Sequence, residues 1–161
     1  MLFNYTKVTV WFLIICTLVQ MSLQDVVKIA DVGVSKEGKM ITGTMAGTPG
    51  FVAPEVIKSS VYDNKADLYS FGIMMWEIWY GRRALMDVGG DLNTFLDKVV
   101  EGVRPSHIQG TRMPQDQWQN LMQRCWDGQA EKRPTAATCH NELTNLCSTV
   151  FLSDVQLNVQ Q

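Results

Sequence analysis

The chain has 161 residues, 46% hydrophobic and 19% charged, which suits one domain with enough apolar material for a core. A formal net charge of −2, with Lys and Arg scattered along the sequence, gives no basic field, so nucleic acid is not an expected partner. Cys16, Cys125, Cys139 and Cys147 show no C-x-x-C spacing and no nearby His pair; no zinc site is expected, and they read as reduced thiols, three of them among apolar residues of expected helices where Cys acts as a small buried hydrophobe.

The first element is apolar. Val8 to Val19, VTVWFLIICTLV, carries no charge, and Lys7 stands just before it. It has the length of a signal-peptide apolar region and falls short of the about 20 residues of a membrane span. No small-x-small cleavage site follows, since Gln20, Met21, Leu23 and Gln24 are large. Its β-branched residues suit a buried strand as well. Two readings stay open: a core strand or mis-joined leader, and a signal or anchor that would make residues 1–24 the only route to a membrane. From Asp25 the composition becomes that of a soluble protein, giving an expected division into a leader (1–24), a domain (25–147) and a polar tail (148–161). The expected location is cytoplasmic, or membrane-associated or secretory if the leader directs it.

Val26, Val27, Ile29 and Ala30 form a short apolar run ended by Asp31 and Gly33, which reads as a buried strand turning into a loop. Residues 35–50 are rich in Gly and hydroxyls without an apolar period, an irregular loop. Asp63 caps an expected helix from Lys65 to Tyr80, stopped by Gly81. Its apolar residues cover every face, so it is expected to be buried all round at the centre of the domain. Asp91 and Gly102 bracket a shorter helix carrying Leu92, Phe95, Leu96 and Val99. Trp118, Leu121, Met122, Cys125 and Trp126 follow the i, i+3, i+4, i+7, i+8 pattern, with Gly128 as the stop. A last helix from Thr135 to Cys147 puts Ala136, Cys139, Leu143 and Leu146 on one side. The expected fold class is mainly α, with one short β element and a long loop at its front.

Several of these segments carry ordered motifs. Asp31-Val32-Gly33 is followed by Gly47-Thr48-Pro49 and Ala53-Pro54-Glu55, then by DLYSFGIMMWEIWYGRRA from Asp67 and RCWDGQAEKRPT from Arg124. Together they resemble the carboxy-terminal lobe of a eukaryotic protein kinase over about residues 25–147, nearest to the tyrosine-kinase-like group with its dual-specificity Ser/Thr and Tyr kinases. The loop over residues 31–55 then corresponds to an activation segment.

The resemblance implies roles residue by residue. Asp31 matches the carboxylate that holds Mg²⁺ against the phosphates of ATP. Val32 departs from the usual Phe and weakens the packing that Phe provides. Thr48 matches the threonine that helps place an acceptor hydroxyl, which tilts the acceptor toward Ser/Thr. Thr42 and Thr44 sit where regulatory phosphorylation occurs, adding about −1.5 to −2 charge that needs an arginine partner. Glu55 and Arg133 match a structural ion pair, and Asp67 a carboxylate that accepts backbone N–H groups of the catalytic loop.

The same resemblance shows what this sequence does not contain. Phosphoryl transfer rests on positioning and electrostatics. The family supplies these through a Gly-rich loop, a strand lysine with its glutamate, and an H-R-D-x-x-x-x-N segment, all ahead of the D-x-G motif. Here the first glycine is Gly33, the first histidine His107 and the first aspartate Asp25, and Lys7 is the only lysine before residue 25. No general base, and hence no catalytic residue, can be named. ATP and Mg²⁺ are the cofactors implied by resemblance, with Asp31 alone a weak Mg²⁺ ligand. The chain alone is expected to be a non-catalytic, pseudokinase-like interaction module or a truncated fragment, with a protein partner or substrate. The alternatives are an active Ser/Thr or dual-specificity kinase with more residues ahead of these, and a membrane-tethered module.

Overall fold

The computed structural model describes residues 48–58 and 61–146, together with the backbone of four short strands nearer the amino terminus. Of these strands, β1 (Trp11–Phe12) pairs antiparallel with β4 (Lys36–Glu37), and β2 (Val19–Met21) with β3 (Val27–Ile29). The apolar run expected as one strand is therefore β3. It sits in a two-stranded pair whose other member, β2, lies before residue 24, with Val19 opposite Ile29.

The rest is helical. A 3-10 turn at Pro49–Phe51 leads into α1 (Pro54–Ile57), whose proline sits at the first helical position, where a missing N–H costs nothing. The long α2 (Lys65–Tyr80) begins where the Lys65 N–H donates to Asp63 Oδ1 at 2.8 Å. It stops at Gly81, whose left-handed backbone (φ 63°) lets its N–H reach the Glu77 carbonyl at 2.8 Å. Next come α3 (Leu92–Glu101) and α4 (Asp116–Cys125), a 3-10 turn at Ala130–Lys132, and a fifth helix, α5, spanning residues 136–146. Asp91 caps α3 through its side chain, which accepts the Thr94 N–H at 2.8 Å.

The core forms where α2 meets α4. Gly72 of α2 lets the helices touch: a Cβ there would stand 2.9 Å from Cys125 Cβ and 3.1 Å from the Met122 carbonyl oxygen. Tyr69, Ile73, Val99, Leu121 and Cys125 are fully buried around this contact. Burial of α2 all round does not hold along its whole length, because Ile78 in the last turn is 63% exposed. The last turn still meets α4 through Trp79, whose ring lies 6.0 Å from that of Trp118, while its neighbour Ile78 is left exposed. α1 packs on α3, and Arg124 of α4 pairs with Glu142 of α5.

Candidate functional site

The best-built polar site centres on Arg133. Its side chain is fully enclosed, and its guanidinium forks onto Glu55 of α1: Nη1 to Oε1 at 2.7 Å and Nη2 to Oε2 at 2.8 Å. Two further donations reach main-chain oxygens, Nη1 to Lys65 at 2.8 Å and Nε to Asp127 at 2.9 Å. A buried guanidinium needs such pairing, and the planar fork matches a carboxylate at two points. Lys65 returns the contact, its Nζ donating to the carbonyls of Arg133 and Pro134.

Tyr69 of α2 is the wall of this site. The Arg104 guanidinium lies 4.9 Å from its ring centroid and that of Arg133 5.3 Å, so the ring face stands against two cations. Burial raises the phenol of Tyr69 above its ordinary value; the two arginines act the other way. Arg104 is itself anchored, donating to the carbonyls of Val99, Val103 and Trp126.

The segment ahead of α1 is tied to the same helix. Ser70 of α2, buried, donates its hydroxyl to the Phe51 carbonyl at 2.7 Å. Thr48 caps the 3-10 turn, its carbonyl accepting the Phe51 N–H at 2.9 Å. Asp67 stands half-buried in the first turn of α2, and its charge adds to burial in raising the Tyr62 phenol. The structure thus gathers Glu55, Arg133, Lys65 and Tyr69 into one cluster and joins the Thr48–Phe51 turn to α2 through Ser70. Asp31, Thr42 and Thr44 lie outside the described residues. Sequence reading had no signal for Ser70, Lys65 or Arg104, whose partners are main-chain oxygens.

An open cleft of about 820 Å³ lies beside the ion pair, with Glu55, Lys58, Asp63, Lys65 and Glu131 on its walls. The signs are mixed, and the described residues contain no group of three or more His, Cys, Asp or Glu able to hold a metal ion. Among the described residues no helix is long and apolar enough to cross a membrane.

The family described as protein tyrosine and serine/threonine kinase matches residues 16–143. Similar proteins include the mouse leucine-rich repeat serine/threonine-protein kinase 1, 31% identical over 128 residues, which are 78% of this chain and 6% of that protein. The human dual serine/threonine and tyrosine protein kinase is 36% identical over 114 residues, 69% of this chain and 12% of its own length. A serine/threonine-protein kinase/receptor of Acanthamoeba polyphaga mimivirus is 36% identical over 129 residues, 77% of this chain and 7% of that protein. The chain therefore spans a small part of each of these relatives.

Proposed function

This chain belongs to the protein tyrosine and serine/threonine kinase family, and we propose that it forms the carboxy-terminal, protein-facing lobe of a kinase without transferring phosphate by itself. The observation that carries the first half is the enclosed Arg133–Glu55 fork, which ties the Ala53-Pro54-Glu55 end of the activation-segment-like loop to α2 and the start of α5. A loop fixed at this end can present Thr48 to an acceptor hydroxyl on a protein, Ser/Thr by preference. Thr42 and Thr44 are the positions at which phosphorylation would act on the same loop.

The second half rests on chemistry. Transfer of a γ-phosphoryl group needs several groups held in place at once: a base for the acceptor proton, two metal ligands and cations on the phosphates. Bound ATP·Mg²⁺ supplies the phosphoryl group and the charge neutralisation of that reaction. Of the side chains in these 161 residues only Asp31 matches such a group, as a Mg²⁺ ligand. The test is incubation of the purified chain with Mg²⁺, γ-labelled ATP and generic protein acceptors. No label on acceptor or chain is expected, and metal-dependent labelling overturns the reading.

The small share of each relative that the chain spans favours one second reading: that these residues belong to a longer, active Ser/Thr or dual-specificity kinase. Sequencing the transcript upstream of codon 25 tests it. An in-frame H-R-D-x-x-x-x-N segment supports it, and its lack there removes it.

A further inference from the structure

Away from the arginine cluster, two thiols meet in the core. Sγ of Cys125 at the end of α4 lies 3.7 Å from Sγ of Cys139 in α5, and both cysteines are free. We propose that Cys125 and Cys139 form an oxidisable dithiol, which a small hydroperoxide converts to a disulfide joining α4 to α5 around the segment that carries Arg133.

The geometry sets what must move. A disulfide needs its sulfurs at about 2.05 Å, so the two must approach by roughly 1.6 Å from the 3.7 Å observed. Cys125 sits at the α2 crossing, where a Cβ on Gly72 would stand 2.9 Å from its own Cβ. We assign the approach to α5, at whose start Thr135, Ala136 and Ala137 are exposed. Cys125 is 0% and Cys139 4% exposed, which admits a small peroxide through local opening at that end of α5 and disfavours a bulky disulfide reagent.

The pair divides the chemistry between its members. The hydrogen bond between the thiols holds Cys139 below its ordinary value and pushes Cys125 above; burial raises both, and at each sulfur the Arg124 guanidinium is opposed by the Glu142 carboxylate it pairs with. Cys139 thiolate attacks one peroxide oxygen; the O–O bond breaks, giving Cys139 sulfenic acid and, from hydrogen peroxide, one water once the departing hydroxide takes a proton. Cys125 sulfur then attacks the sulfenyl sulfur, its S–H proton and the hydroxyl leaving together as a second water. Two thiols have lost two electrons, and hydrogen peroxide has gained them.

The consequence lies in the loop that closes. Cys125 and Cys139 are 14 residues apart, and Arg133 falls between them. A bond there narrows the freedom of the segment that delivers the guanidinium to Glu55, so the oxidised chain holds that fork more tightly.

The experiment uses the full chain with Cys16→Ser and Cys147→Ser, treated with hydrogen peroxide under native conditions, alkylated and digested with trypsin. Cleavage after Arg124 and Lys132 places the two cysteines on different peptides. The expected result is one Cys125–Cys139 cross-linked pair, reversed by dithiothreitol, with Tm raised by roughly 5–10 °C in the oxidised form. Adding Cys139→Ser abolishes the cross-link and the gain in Tm. The proposal is overturned if both thiols stay alkylatable at peroxide levels that oxidise free cysteine. It is equally overturned if Cys139 passes to sulfinic acid without pairing, or if the cross-link forms only in urea.

Discussion

Arg133 and Glu55, 78 residues apart in sequence, meet in a two-point fork with N–O distances of 2.7 and 2.8 Å. The arginine side chain is fully buried and that of the glutamate 16% exposed, so the pair belongs to the interior. It joins the short α1 to the segment before α5.

Breaking this fork from one side leaves a buried charge alone. Glu55→Ala is expected to lower unfolding stability by about 3–5 kcal/mol in urea titrations. Arg133→Lys keeps the charge but loses the planar fork, so a smaller loss is expected. A loss below about 1 kcal/mol for Glu55→Ala would place the pair with solvent-screened surface bridges instead.

Some of this architecture was legible in the sequence. The Trp118 to Trp126 spacing marked the face that α4 buries, and Asp91 and Gly102 marked both ends of α3. The ordered motifs named the family, which the match over residues 16–143 shows. Helix α2 was harder: a sequence apolar on every face has no period to say which face meets a neighbour, and exposed Ile78 carries no distinguishing signal. Glu55 and Arg133 could be paired only through the resemblance, since no local spacing relates residues so far apart. The Cys125–Cys139 contact was invisible because each thiol reads singly as a small apolar residue.

The α2–α4 crossing sets the next expectation. Gly72→Ala places a methyl 3.1 Å from both the Met122 carbonyl oxygen and the Trp126 nitrogen, main-chain atoms that cannot swing aside. Overpacking of this kind costs about 1–3 kcal/mol, against about 1 kcal/mol gained in helix propensity. A net loss of up to about 2 kcal/mol is expected by thermal or urea unfolding, and a stabilised variant would show that the helices can part without cost.

Ser70 gives a local readout. Ser70→Ala removes the hydroxyl donor from the Phe51 carbonyl and is expected to cost about 1–3 kcal/mol if that oxygen stays out of water. Amide hydrogen exchange should quicken at Phe51 and Val52, whose N–H groups bond within the 3-10 turn, more than in α4. Uniform quickening would mean that the hydroxyl supports the whole fold and not this turn.

Asp91 makes a pH-dependent contribution with a fixed sign. Its carboxylate accepts the Thr94 N–H, which holds it below the ordinary value of 3.8 in the folded chain. The unfolded chain therefore binds the proton first as pH falls, so the contribution is complete above the unfolded value and is lost as pH drops through the folded one. Asp91→Asn keeps a capping oxygen without titrating. Its urea midpoint should match the parent at pH 6 and fall less steeply between pH 4 and 2; parallel curves would remove Asp91 from the acid response.

The central claim is that this chain carries the family's protein-facing lobe without a working nucleotide clamp. Isothermal calorimetry of the purified chain against ATP with excess Mg²⁺ tests it most directly. The account predicts only heats of dilution, with the Arg133 fork intact and the chain folded. A saturable one-to-one isotherm that disappears with Asp31→Asn would contradict it.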